Sequence, residues 1–147
     1  MTQPEDTALV EAEALRLSAG RFVRHVRSTV GQIPPGQAAV LGYLDRDGRL
    51  AITELAERER VRHQSMARTV KLLAEQGMVD LTPDDVDRRR VIVAITSPGR
   101  DRLEQQRHDR SSVIAAAIQD LTPEQRAVLR SVPAVLDALT ERVLAGR

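Results

Sequence analysis

The chain contains no cysteine, no tryptophan, and a single phenylalanine and tyrosine. Without cysteine there are no disulfides, thiol nucleophiles, thiolate metal sites or thiol redox switches. With so few aromatics the core must be aliphatic and alanine-rich, a composition that favours helices. No apolar run approaches the length needed to span a bilayer, and the opening segment "MTQPEDTALVEAEALRL" has neither a basic leader nor an apolar signal region. The expectation is a cytoplasmic protein with no membrane partner. Catalytic signals are also missing. His25, His63 and His108 fall on three separate predicted helices, none in an HExxH spacing, and there is no glycine-rich phosphate loop. The chain therefore reads as a non-enzyme without a cofactor or metal.

What is present is a chain of 147 residues, enough for one domain with a moderate core, whose formal net charge is only +1. That near-neutral total hides segregation. Arg58, Arg60, Arg62, Arg68 and Lys71 stand against one acid, Glu59, whereas the first fifteen residues carry acids and no base. A strongly basic surface for nonspecific, architectural DNA binding would call for a larger positive excess.

Periodicity divides the chain into elements. Ala12, Leu15, Ala19, Phe22 and Val26 form a helical seam between about Thr7 and Val30, broken by "IPPGQ". A second helix runs from Gly36 to about Asp45 over Val40, Leu41 and Leu44; "DRDGRL" is a turn and "LAI" a brief strand. "TELAERER" reads as a third helix, with Thr53 as its N-cap, Glu54 at its positive end and Leu55 and Ala56 buried.

Next comes "RHQSMARTVKLLAEQGMV". Met66, Val70 and Leu73 recur at helical spacing as a buried seam, with Gly77 as the terminating glycine. Arg62, His63, Gln64, Ser65, Arg68 and Lys71 crowd the start and outer face of this fourth helix. Arg62 takes the place of a capping Ser, Thr or Asp. The pattern then turns alternating: "MVDLTPDDVDRRRVIVAIT" is strand, turn, strand, with Val91, Val93 and Ile95 facing one way and Arg88, Arg89 and Arg90 at the tip. A helix opens at "SPGRDRL", capped by Thr96 or Ser97, and runs to about Asp120. The last begins at the Thr122 to Gln125 capping box with Pro123 at its first position, and Pro133 should kink or divide it.

Two short helices and an arginine-tipped hairpin make a winged helix-turn-helix, mainly α with a small β-hairpin wing. In that arrangement Arg68 can read guanine, Gln64 adenine, and Ser65 a base or phosphate. His63 is a further DNA contact, Arg62 meets an external anion, and the wing touches flanking backbone or minor groove. Other readings of the same residues remain: a solvated helix face, wing arginines that neutralise Asp84, Asp85 and Asp87 locally, or a winged helix used for protein contacts.

The ordered set Leu55-Ala56, Val61, the Arg68 to Gly77 helix end, the Asp87-Arg88-Arg89 wing and Thr96-x-x-Gly99 resembles the MarR family, the multiple-antibiotic-resistance regulators of bacteria. The resemblance covers essentially the whole chain. It implies one domain over residues 1–147, with a DNA-binding lobe at 36–96 and dimerisation helices at 7–30 and 98–145. It implies a homodimer on a double-stranded, pseudo-palindromic DNA operator, usually acting as a repressor and often released by a small anionic or aromatic effector. It points to the crevice between dimer helices and lobe for that ligand, where Phe22, His25 and Tyr43 are candidates; the alternative is that Phe22 and Tyr43 fill the aromatic-poor core. Arg62-His63 in place of the usual capping pair and the interruption at Pro133 depart from the family pattern.

Overall fold

The computed structural model describes residues 4–30 and 33–146, with side chains from residue 6 onward. Residues 1–3, which begin the segment read as lacking a leader, lie outside it. The elements run α1 (Pro4–Thr29), α2 (Pro35–Asp47), β1 (Leu50–Ala51), α3 (Ile52–Glu59), α4 (His63–Glu75), β2 (Val79–Pro83), β3 (Val91–Ile95), α5 (Ser97–Gln119), α6 (Pro123–Leu129) and α7 (Val132–Ala145). The chain divides into two compact units, one through Arg110 and one from Ser111. Among the described residues no helix is long and apolar enough to cross a membrane.

The first unit carries the core. Leu41, Leu44, Leu55, Leu73, Val40, Val70 and Val93 are fully buried, joined by Met66, Val79 and Leu103. Each buried leucine contributes roughly 1.5–3 kcal/mol. The seams read for α2, α3, α4 and β3 close this core, whereas those read at Ala12 to Val26 and at Val128 to Val143 contribute no buried residue to it. A three-stranded antiparallel sheet, in the order β1-β3-β2, covers one side. Leu50 pairs with Val93, and Val79, Leu81 and Pro83 pair with Ile95, Val93 and Val91. Pro83 is tolerated because it ends an edge strand, where a missing N–H costs no central ladder bond.

Helix α1 begins at Pro4 rather than near Thr7, α2 extends to Asp47 into the stretch read as a turn, and both ends of α3 depart from the sequence reading. Thr53 does not cap α3: the N-cap lies two residues earlier, at Ala51, and Glu54 Oε2 accepts from the Ala51 N–H at 2.7 Å, so the reach-back acid does the capping. The helix also ends at Glu59, because Arg60 turns left-handed (φ 54°). Elsewhere the local signals hold. Gly77 (φ 69°) closes α4 as a Schellman motif, with its N–H donating to Ala74 O and that of Met78 to Leu73 O. Thr96, not Ser97, caps α5: its Oγ1 accepts from Gly99 N–H and donates to Gly77 O.

In the second unit, the Thr122 and Gln125 side chains exchange hydrogen bonds with each other's N–H at 3.3 and 3.0 Å. Pro133 divides the terminal helix into α6 and α7, sitting at the second position of α7, where its missing N–H is harmless.

Candidate nucleic-acid interface

Helix α4 is anchored by Met66, Val70 and Leu73, all buried against the core. At 3.6 residues per turn, Gln64, Arg68 and Lys71 then fall within roughly 60° of one another on the opposite side. All three are exposed, as are Arg62, His63 and Ser65 at the helix start. Arg62 occupies the N-cap with extended backbone (φ −67°, ψ 144°) and supplies no side-chain cap. The first N–H groups of α4 therefore keep their partial positive charge facing outward. Among the described residues Arg62, Gln64 and Arg68 have no side-chain partner, whereas Lys71 lies 3.8 Å from Glu75 one turn on.

Two neighbouring cations are committed elsewhere. Arg58 and Arg46 both pair with Asp47 and lie over the Tyr43 ring, 5.5 and 5.4 Å from its centre. Tyr43 Oη donates to Glu59 Oε1 at 2.8 Å, which pushes the phenol up from its ordinary value. Tyr43 thus packs against the core and helps to fill it, while Phe22 does not: it is 54% exposed on α1. His25, also on α1, has Nδ1 2.9 Å from Arg21 O.

The wing splits the three arginines predicted as one group. Arg88 and Arg89 have no acidic side-chain partner among the described residues. Arg90 lies between Glu54 Oε2 (3.5 Å) and Asp84 Oδ2 (3.8 Å). Local neutralisation thus describes Arg90 and not the other two. Asp84 itself builds the tip: its Oδ1 accepts from Val86 N–H at 2.8 Å and Asp87 N–H at 3.3 Å, holding its carboxyl below the ordinary range. A hollow of about 80 Å³ brings His63 of α4 beside Arg89 and Arg90 of the wing, floored by Ala51, Ile52, Thr53 and Val91. Residues far apart in sequence thus form one cationic edge, from the wing past the start of α4 to its outer ridge.

Comparison with known proteins agrees with this architecture. Residues 31–90 match the family model described as MarR family. An uncharacterised HTH-type transcriptional regulator of Mycobacterium bovis is 31% identical over 132 residues, spanning 88% of this chain and 92% of that one. The chain belongs to the MarR family. A MarR family protein from Bacillus stearothermophilus shares its fold, with a TM-score of 0.72 at 20% identity over 95% of this chain and 99% of the other. The Bacillus subtilis HTH-type transcriptional repressor MdtR is 27% identical over 93 residues, 63% of this chain and 60% of that protein. This MarR-family chain is accordingly an HTH-type transcriptional regulator.

A second basic feature was invisible in the sequence. Arg27 at the end of α1 and Arg110 of α5 flank a hollow of about 190 Å³ with Pro35, Ala38 and Ala39. Arg110 Nε is buried without a hydrogen-bond partner. Neither Phe22, His25 nor Tyr43 lines this hollow. No local pattern joins Arg27 to Arg110, since only the packing of α1, α2 and α5 brings them together.

Proposed function

We propose that the protein is a repressor that binds a pseudo-palindromic operator as a homodimer and is released by a small anionic ligand. The observation that carries the DNA-binding part is the cationic edge. Arg68 and Gln64 stand free on the outer ridge of a helix whose positive end lacks a side-chain cap, and unpaired Arg88 and Arg89 extend the charge along the wing. Arg68 fits guanine O6 and N7, Gln64 fits adenine, and Ser65 reaches a base or phosphate. Arg62 and His63, beside the uncapped N–H groups, suit phosphate oxygens, and Arg88 and Arg89 suit the flanking backbone. Lys71 contributes charge at the far end of the ridge. Arg90, engaged by two carboxylates, is the weakest candidate for direct contact.

Repression is supported by the name of the MdtR relative. Dimerisation is supported by exposed apolar seams: Leu9 and Phe22 on α1, and Val128, Val135, Leu139 and Val143 on α6 and α7, are left to solvent in a single chain. A two-fold partner would cover them and place two α4 helices on successive major-groove faces. For the ligand, the Arg27 and Arg110 hollow offers two guanidinium groups, one with a buried unsatisfied donor, to a small carboxylate. With no cysteine available, release works by differential binding; a coupling of about 1–3 kcal/mol would change operator affinity roughly 5–150 fold.

Selection of bound sequences from a random duplex pool tests the proposal. The expected result is an enriched inverted repeat whose half-sites lie about 10 base pairs apart centre to centre, or a multiple of that spacing. Failure to enrich any sequence would contradict specific operator binding, and an enriched single half-site would contradict the dimer.

A further inference from the structure

Arg90 sits among wing arginines that would face DNA, but its guanidinium bridges two carboxylates, and both are fixed by backbone. Glu54 Oε2, 3.5 Å from Arg90 Nη2, also accepts from Ala51 N–H at 2.7 Å. Asp84, whose Oδ2 is 3.8 Å from Arg90 Nη1, receives Val86 N–H and Asp87 N–H on its other oxygen. The backbone of Arg90 closes the same turn: its N–H donates to Asp87 O at 2.8 Å and its carbonyl accepts from Asp84 N–H at 3.0 Å. A continuous run of contacts therefore leads from the start of α3, through Arg90, to the tip of the wing. The ladder between β2 and β3 ends at Pro83 and Val91, so residues 84–90 project beyond it.

We propose that Glu54 and Arg90 tether the wing to the start of α3 and hold it in the position that engages DNA. This inference rests on the DNA-binding reading above. Arg90 is then a positioning residue and Arg88 and Arg89 are the contacts. Holding the tip before binding reduces the ordering cost paid on association. The proposal inverts the ordinary expectation for Glu54. A carboxylate beside a phosphate-binding edge repels the ligand, so removing its charge should strengthen binding. If the carboxylate holds the wing, removing its charge weakens binding instead.

Glu54→Gln separates the two, because glutamine keeps an acceptor for the Ala51 N–H while losing the ion pair. The absence of cysteine allows a single nitroxide label at Val86→Cys, a wing-tip position that is 97% exposed. Glu54→Gln and Arg90→Gln, each in the labelled full-length chain, should raise label mobility without DNA. In the unlabelled chain each should weaken binding to the selected operator by up to about fivefold with an unchanged salt slope, and the double variant should be no worse than either single one. Unchanged label mobility, or tighter DNA binding by Glu54→Gln, would overturn the tether. So would a salt slope lowered by about 1 in Arg90→Gln, the mark of a direct phosphate contact. If the wild type shows no salt-dependent duplex binding, the DNA reading fails and the positioning role fails with it, while the label still reports whether Glu54 holds the wing.

Discussion

A helix that begins with an uncapped arginine gives up stability, and on the proposed reading Arg62 exchanges a local cap for an external partner. Its side chain leaves the first N–H groups of α4 without a cap, where Ser, Thr, Asp or Asn would typically contribute ~1 kcal/mol. Arg62→Ser should therefore raise unfolding free energy by about 1 kcal/mol, measured by urea denaturation at fixed protein concentration. The same variant should bind operator more weakly, with its salt slope reduced by about 1. Greater stability with unaltered DNA binding would remove Arg62 from the interface. Asp45 makes a different prediction. Arg107 Nη1 and then Arg100 Nε, at 2.9 and 3.1 Å, hold its carboxyl below the ordinary range. Because the folded value is the lower one, its stabilisation is complete above about pH 4 and is lost as pH falls through the folded value. Asp45→Asn should be less stable near neutrality and lose less on acidification; parallel pH profiles for variant and wild type would contradict that. These single-residue partnerships mark where sequence reasoning stops. The uncapped N-cap position of Arg62 was legible because it is local, at a helix start. The Arg90 to Glu54 contact and the pairing of Asp45 with two arginines of α5 join distant segments, and nothing at either position announces its partner.

Elements whose ends are set by neighbouring residues were the most legible. Gly77, the Thr122 to Gln125 box and Pro133 each act within a turn of their own position, and each ends or starts a helix as read. The start of α3 was misread because Thr53 has the chemistry of a cap, but Glu54 reaches back to Ala51 as β1 runs directly into the helix. The end of α3 was misread because a left-handed residue normally advertises itself as glycine, and here it is Arg60. Packing between elements leaves one sharp signature. A Cβ on Gly99 would overlap the carbonyl oxygen of Met78 and press on Ile95 Cγ1 at 3.1 Å. The start of α5 therefore lies directly against the turn after α4, a position braced by Thr96 Oγ1 bonding Gly77 O at 2.7 Å. Gly99→Ala should destabilise by about 1–3 kcal/mol in denaturant unfolding. A change below about 0.5 kcal/mol, within the range of an ordinary surface substitution, would mean that this approach is not tight.

For the whole molecule, the proposed dimer would cover the exposed apolar seams on α1 and on α6 and α7. Sedimentation velocity at micromolar concentration should show dimer alone, and a monodisperse monomer would contradict the dimer. The fold was readable in full outline because Met66, Val70 and Leu73, and Val91, Val93 and Ile95, fix which face of each element is buried. Of the proposed interface, the exposed ridge of α4 was readable in the sequence, whereas the wing's division into free and engaged arginines depends on tertiary contacts. The central claim is that α4 reads bases and the wing grips backbone. It is tested most directly by titrating wild type, Arg68→Ala and Arg89→Ala against the selected operator and its single-base variants at several salt concentrations. Arg68→Ala should cost ~1–3 kcal/mol and relax preference at one symmetric pair of positions. Arg89→Ala should weaken all duplexes alike and lower the salt slope by about 1 for each phosphate it no longer neutralises. An even loss across every duplex for Arg68→Ala would contradict base reading, and unchanged affinity in both variants would show that this edge is not where DNA binds.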